Sequence, residues 1–159
     1  MNNKTVIMAE PGIPIIRIER VFDAPREKVF QVFTQKDKVA KWWSPSNEVR
    51  IDALDAREGG AWKFTHVIDG QDITFYGVFH EVTAPERIVQ TAEFANLGER
   101  GHVVLDKYEF TEFKGGQTHM TLTEAYLTTQ DRDAALKSGM ETGLAQSYIN
   151  LDTVLREMN

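Results

Sequence analysis

The feature that most constrains the fold is a series of segments between residues 48 and 126 in which polar and apolar residues alternate. Turn residues separate these segments, among them Gly59-Gly60, Asp69-Gly70 and Lys114-Gly115-Gly116. This succession of strand and turn signals is typical of an antiparallel meander. Together with an alternating segment that begins at Ile13, the pattern predicts about seven strands: Ile13–Phe22, Glu48–Leu54, Gly60–Ile68, Ile73–Val82, Arg87–Phe94, Val103–Phe113 and Thr118–Tyr126.

A helical period replaces the strand period near the C-terminus. Thr128 or Thr129 is the expected N-cap, and Asp131 and Asp133 place negative charge in the first turn, where the helix dipole favours it. We predict a single helix over residues 130–157, about 40 Å long. It presents one stripe of side chains at helical spacing: Met140, Leu144, Ser147, Leu151, Val154, Leu155 and Met158.

Two short helices are expected between the first strand and the meander. Asp23 is the expected N-cap of the first, because Pro25 suits an initial helical turn, and this helix continues to Thr34. The second covers Lys36 to Trp43. The predicted class is therefore α+β, with a curved antiparallel sheet whose apolar face is covered by the long C-terminal helix. We expect a space between the concave sheet and that helix.

Composition excludes several classes of protein. The chain has 159 residues, no cysteine and a net charge of −6. The acidic balance argues against a nucleic-acid binder, and the missing cysteines exclude disulfides and thiolate metal sites. No apolar stretch approaches the roughly 20 residues of a membrane-spanning helix, so we expect no stable membrane insertion and a cytoplasmic protein. The expected organisation is a flexible arm at residues 1–12, which can add to a sheet edge, and a single domain at residues 13–159.

Several short motifs occur in the order and spacing of a known family. They are Ile18-Glu19-Arg20-Val21-Phe22-Asp23-Ala24-Pro25, Trp42-Trp43, Arg57-Glu58-Gly59-Gly60-Ala61-Trp62, Gly77-Val78-Phe79-His80-Glu81-Val82, Pro85-Glu86-Arg87-Ile88-Val89 and Ser138-Gly139-Met140. Together they resemble the Hsp90 ATPase activator homologue family of the START-like (SRPBCC) superfamily, over about residues 15–157. The resemblance implies a helix-grip fold, as in the birch pollen allergen, with an apolar cavity under the long helix.

The resemblance also implies a container that different proteins use for lipid transfer, hormone binding, polyketide cyclisation or co-chaperone work, so the fold alone does not define the function. Alternation along the strands predicts which side chains face the cavity. Aromatic and methionine side chains favour an apolar or aromatic small-molecule ligand, although the same residues could form an ordinary filled core. The predicted ligand-binding residues are Trp42, Trp43, Trp62, Phe64, His66, Phe75, Phe79, Met120, Leu122, Glu124, Met140 and Leu144.

Polar groups in such a pocket would orient a ligand. His66 and Glu124 share the parity of the apolar lining, and Tyr76 and Arg20 are further candidates. Hydrogen bonding to a ligand is the expected role of His66 and Glu124, whereas an acid/base pair would indicate an enzyme of the cyclase or hydrolase type. The scattered histidines predict no metal site, and no nucleotide-binding glycine motif occurs, so we expect no cofactor.

A chaperone-associated interaction role is the third hypothesis. The resemblance implies that eukaryotic members carry a separate N-terminal chaperone-binding domain, which this chain is expected to lack. We therefore expect no stimulation of a chaperone's ATPase. A homodimer through an exposed sheet edge or the N-terminal arm stays open at this stage.

Overall fold

Within residues 3–46 and 48–158, the part of the chain that the computed structural model describes, eight strands and four α-helices follow one another. Residues 1 and 2 of the predicted arm and residues 47 and 159 of the predicted domain lie outside that part. In chain order the elements are β1 (Val6–Met8), β2 (Ile15–Phe22), α1 (Arg26–Thr34), α2 (Lys36–Trp42), β3 (Val49–Leu54), β4 (Ala61–Ile68), β5 (Gln71–Thr83), β6 (Arg87–Phe94), β7 (Val104–Phe113), β8 (Gln117–Ala125), α3 (Thr129–Lys137) and α4 (Met140–Glu157).

All eight strands belong to one antiparallel sheet with the order β1-β2-β8-β7-β6-β5-β4-β3. The meander from β3 to β8 places each strand beside the next one in sequence, and β2 then pairs with β8. Because side chains alternate across a strand, one face of the sheet gathers the buried residues and the helices pack on it. We call this face the concave face. The α+β helix-grip fold predicted from the sequence is confirmed.

The sheet has one strand more than the predicted number. The additional strand is β1, which lies in the segment that the sequence presents as an arm and pairs with β2 through Ile7 and Ile18. Three residues are too few to show the alternation that identifies a strand. Pairing with an exposed edge forms this strand, and the pairing partner is invisible in the local sequence.

The predicted single C-terminal helix is wrong. The structure has two helices, α3 and α4, that are separated at Ser138 and Gly139. Gly139 has a φ of 86° and therefore lies in the left-handed region, which ends one helix and redirects the chain into the next. The predicted cap at Thr128 is confirmed, because its side chain accepts a hydrogen bond from the backbone N–H of Asp131.

Asp23 does not cap α1, contrary to the prediction. Pro25 occupies the N-cap position in an extended conformation, and no side chain caps the helix there. Asp23 instead accepts a hydrogen bond of 2.6 Å from the Gln117 amide at the start of β8. The two short helices themselves are confirmed, and they bring Trp42 and Trp43 to the end of the concave face formed by β4 and β5.

The core lies between the concave face and α4. The second half of this helix is more deeply buried than its first half: Met140 and Leu144 are partly buried against the core, whereas Tyr148 and Leu151 are nearly inaccessible. Buried residues of β2 and β8 form the opposite wall: Ile16, Ile18, Phe22, Met120 and Leu122. Burial of such side chains contributes roughly 1.5–3 kcal/mol each to folding.

Candidate functional site

An aromatic cavity lies on the concave face under α2, whereas the sequence predicted a cavity under the long C-terminal helix; no residue of α4 lines the observed one. Its volume is about 30 Å³, which is enough for roughly one water molecule. Five of the predicted ligand-binding residues line it, namely Trp42, Trp43, Trp62, Phe64 and Phe79. The remaining walls are Phe33, Val39, Leu54, Ile88, Gln90 and Tyr108. Aromatic and aliphatic side chains therefore predominate in the lining, to which Gln90 adds an amide and Tyr108 a phenol.

Two of the three tryptophans are fixed by hydrogen bonds. The Trp42 indole N–H donates to the Val32 carbonyl at 2.6 Å, and the Trp62 indole N–H donates to the Thr91 carbonyl at 3.0 Å. Gly77 permits the second bond, because a Cβ there would lie 1.8 Å from the Thr91 carbonyl oxygen. Both indoles are 4% exposed and act as rigid walls of the aromatic cavity.

Trp43 covers the other side of the aromatic cavity. Its ring is partly buried and contacts His66, Phe64 and Phe75, with centroid distances of 4.5, 5.1 and 5.6 Å. His66 is held in this group by Ser44, whose hydroxyl lies 2.9 Å from the imidazole Nδ1. Burial lowers the pKa of His66, so its neutral form is favoured near pH 7.

A row of polar side chains crosses the concave face beside the aromatic cavity. Asp106 on β7 lies directly opposite Glu124 on β8, and Gln90 on β6 lies opposite Asp106 on its other side. Side chains that face each other across neighbouring strands have Cβ atoms roughly 4.5–5.5 Å apart. We call Asp106 and Glu124 the carboxyl pair. Gln90 connects the pair to the aromatic cavity, because it also lines that cavity.

The carboxyl pair is poorly satisfied. Asp106 is 5% exposed, and its Oδ1 is one of three buried side-chain atoms without a hydrogen-bond partner in the described part of the chain. Its Oδ2 accepts a long bond of 3.4 Å from Gln90. Glu124 accepts a bond of 3.1 Å from the Tyr126 hydroxyl. Burial raises the pKa of Glu124 to about 7, and burial together with the neighbouring Glu124 charge raises the pKa of Asp106 well above its usual value.

Tyrosines lie near the carboxyl pair, whereas the buried guanidinium of Arg20 on this face has another partner. Burial raises the pKa of Tyr108 and Tyr148, and the charges of Asp106 and Glu124 raise it further, which places both phenols within electrostatic range of the pair. Arg20 forms two bonds to Asp152 on α4, of 2.9 and 2.7 Å. Asp152 therefore balances the charge of this cation, although Arg20 Nε has no hydrogen-bond partner among the described residues.

The structure does not bring His66 and Glu124 together. Their strands, β4 and β8, are separated by β5, β6 and β7. Within the described residues, His66 bonds to Ser44 and Glu124 bonds to Tyr126. The two side chains thus form no acid/base pair, although each lies on the concave face.

The other predicted site residues have different surroundings. Phe75 contacts Trp43 and stacks on Phe94, just beyond the aromatic cavity. Met120 and Leu122 are buried under α4, in the part of the core that β2 and β8 form. The twelve residues therefore divide into an aromatic group around the cavity and a separate group near α4.

Tyr76 lies on the opposite face of the sheet, so its candidacy for the interior pocket was wrong. Its hydroxyl donates to Glu93 at 3.1 Å, and Arg100 lies over its ring and also binds Glu93. Hydrogen bonds from Arg100 and from the Gly101 N–H lower the pKa of Glu93 to about 2. Tyr76 also borders an open depression of about 230 Å³, together with Lys63 and Asn96.

Sequence reasoning missed Asp106, Gln90 and Tyr108. All three were inside predicted strands, but their parity with Phe110 and Ile88 was not used to place them on the concave face. The detectable signal is the alternation Asp106, Tyr108, Phe110, in which an acidic residue takes an inward position. Across the residues that the structure covers, no group of three or more potential ligands forms a metal site, and no helix is long and apolar enough to span a membrane.

Solved structures share this architecture. A protein from Mycobacterium smegmatis has a TM-score of 0.86 at 21% identity, over 96% of this chain and 97% of that one. A protein from Chromobacterium violaceum has a TM-score of 0.78 at 26% identity, over 89% and 96% of the two chains. An HSP90 activator from Plasmodium falciparum has a TM-score of 0.66 at 20% identity, again over 89% and 96%.

Comparison at the sequence level gives the family. Among curated proteins, none matches this sequence significantly. The profile of one family, described as activator of Hsp90 ATPase homolog 1-like protein, matches residues 23–156, which is most of the chain. The match confirms the resemblance identified from the short motifs. The chain therefore belongs to the family of activator of Hsp90 ATPase homolog 1-like proteins.

Proposed function

We propose that this protein binds a small apolar or aromatic molecule in the aromatic cavity between the sheet and α2. The observation that carries the proposal is the lining of that cavity, in which aromatic rings predominate and Gln90 and Tyr108 are the polar groups. Ligand pockets commonly combine apolar walls with a few polar groups that orient the ligand.

The proposed mechanism of entry is a movement of Trp43. A cavity of about 30 Å³ is too small for an aromatic molecule, so one wall must give way. Trp42 and Trp62 are held by hydrogen bonds to the backbone, whereas Trp43 is partly exposed at the end of α2 and packs mainly through ring contacts. An outward movement of the Trp43 ring would join its volume to the cavity.

Titration with propylbenzene, followed by amide NMR shifts, tests this function. We expect saturable shifts in β4, β5 and α2. The Trp43→Ala variant should bind about tenfold more tightly, because the bound form no longer requires displacement of the ring. Native mass spectrometry of freshly purified protein would add the mass of any ligand that it retains.

The matched control is Lys114→Ala, which changes a side chain in the turn between β7 and β8, outside the aromatic cavity. Its affinity for propylbenzene should equal that of the wild type. If neither the wild type nor a folded Trp43→Ala variant shows saturable shifts, the proposed function is wrong.

A second candidate function follows from the family. The family description names activation of the Hsp90 ATPase, and one protein of similar fold is an HSP90 activator. A steady-state ATPase assay of Hsp90 with added purified protein tests this candidate. Stimulation that depends on the concentration of this protein would support it, and an unchanged rate at saturating concentration would contradict it.

A further inference from the structure

We infer that the carboxyl pair Asp106 and Glu124 is the binding site for the amino group of a ligand whose apolar body occupies the aromatic cavity. This inference rests on the proposed function and specifies its ligand class as protonated amines with an aromatic or aliphatic body. The juxtaposition that carries it is a pair of acids with incomplete hydrogen bonding, of which Asp106 is buried and Glu124 partly buried, beside an aromatic-lined cavity.

The hydrogen-bonding capacity of the carboxyl pair is not filled. Asp106 Oδ1 is buried without a partner, and the bond from Gln90 to Oδ2 is long, at 3.4 Å. An unsatisfied buried acceptor typically costs about 1–3 kcal/mol. An ammonium group has three N–H donors and no acceptor, so it complements a site that consists mainly of acceptors.

The negative charge of the carboxyl pair also favours an ammonium group. Two carboxyl groups in one buried site do not both ionise readily, so the pair holds one negative charge when it shares a proton. Arg20, the buried guanidinium on the same face, is already paired with Asp152. The charge of the carboxyl pair is therefore free to be matched by a ligand cation, and a monovalent ammonium restores neutrality.

The aromatic surroundings of the carboxyl pair also favour a cation. Tyr108 lies two residues beyond Asp106 on the same face of β7, and aromatic faces attract cations at short range. A divalent metal ion would need more oxygen ligands than two adjacent carboxylates supply, and no group of three potential ligands is found among the described residues. An organic ammonium fits these surroundings better than a metal ion does.

The carboxyl pair is also connected to the aromatic cavity. Gln90 and Tyr108 line that cavity, while Gln90 faces Asp106 across the strand pair and Tyr108 follows Asp106 on the same face of β7. A ligand amine attached to an aromatic ring by a short chain would therefore reach the carboxyl pair while its ring lies beside Trp62 and Phe79.

Three probes of nearly equal size separate the contributions: propylbenzene, phenethyl alcohol and phenethylamine. Each is titrated into the wild type and into Asp106→Asn and Glu124→Gln, with amide NMR spectra to verify folding. We expect phenethylamine to bind the wild type about tenfold more tightly than propylbenzene, because hydrogen bonds to charged groups contribute more than neutral ones. Both variants should lose this advantage and bind propylbenzene unchanged.

The outcomes distinguish this inference from the proposed function. If propylbenzene binds but phenethylamine binds no more tightly, the amine site is wrong and the proposed function stands. Equal affinity for phenethyl alcohol and phenethylamine, or an amine advantage that persists in both folded variants, also overturns the inference. If none of the three probes binds, the proposed function is wrong and the amine site with it.

Discussion

The aromatic cavity and the carboxyl pair occupy neighbouring parts of the same concave face, but they differ in how their polar atoms are satisfied. Around the cavity, the Trp42 and Trp62 indoles donate to backbone carbonyls, and His66 is bonded to Ser44. In the carboxyl pair, Asp106 retains a buried oxygen without a partner. One region follows the rule that buried polar groups are hydrogen-bonded, and the other departs from it.

This difference indicates that one region contributes mainly to stability and the other to function. Satisfied indoles and packed rings contribute to folding, whereas an incompletely bonded buried acid opposes it. Sites that depart from the rules of stable packing are often functional. Mutations should therefore affect the two regions with opposite signs, and this expectation allows the comparison to be tested.

The largest expected effect is in the aromatic cavity. Trp62→Ala removes a buried ring and its bond to the Thr91 carbonyl, so we expect the free energy of unfolding to fall by about 3–5 kcal/mol. Urea denaturation measures the change. The control is Val78→Ala, because Val78 is 49% exposed and should lose no more than about 0.5 kcal/mol. Equal losses in the two variants would contradict the assigned role of Trp62.

The second effect should have the opposite sign. Asp106→Leu replaces an unsatisfied buried acid by an apolar side chain of similar size, so we expect the free energy of unfolding to rise by about 1–3 kcal/mol at pH 7. Asp152→Leu is the matched control, since Asp152 is bonded to Arg20 and its loss should destabilise the protein. A loss of stability in Asp106→Leu would mean that the carboxyl pair is a structural element.

The third prediction concerns pH. Glu124 keeps its proton up to about pH 7 in the folded protein, whereas an ordinary glutamate loses it near 4.5. Folding then binds a proton between these values, so stability is greatest below pH 4.5 and this contribution is lost as the pH rises to 7. Glu124→Gln should reduce the resulting fall in Tm by about 3–8 °C, measured by calorimetry. An unchanged pH profile would contradict the raised pKa.

The smallest effect should come from an exposed pair outside both regions. A hydrogen bond to the Asp131 carboxylate, and to a smaller extent one to Glu99, raises the pKa of His102 above its usual value. Its contribution to stability is complete below pH 6.5 and is lost as the pH rises through the higher pKa of the folded protein. His102→Gln should therefore lower the Tm slightly below pH 6.5, where this contribution is complete, and leave it unchanged above the raised pKa. A Tm below pH 6.5 that equals that of the wild type would contradict this assignment.

Much of the fold was predictable because its signals are local. Alternation and turn residues identified the strands from β2 to β8, and the Thr128 cap located the start of the C-terminal helical region. The break at Gly139 was not predicted, since a glycine within a helical pattern is often tolerated. β1 was predicted only as an arm that can add to a sheet edge and was not counted as a strand, because it forms by pairing with the edge of β2.

The candidate site was predictable only in its aromatic part. Strand parity placed Trp62, Phe64 and Phe79 on one face, and the structure brings them to a common cavity with both tryptophans of α2. Asp106 was missed because acidic residues are normally assigned to the solvent side of a strand. The proposed pairing of His66 and Glu124 failed because strand parity gives the face of a residue but not its distance along the sheet.

The sequence by itself determined the family, the meander and the face on which most side chains lie, because these depend on local periodicity and on short motifs. The tertiary structure alone decided how nearly the interior is filled and which polar groups meet. The size of the cavity depends on packing among α1, α2 and the sheet, and the carboxyl pair exists because strand register places Asp106 beside Glu124. Both are distances between residues far apart in the chain, which no local pattern records.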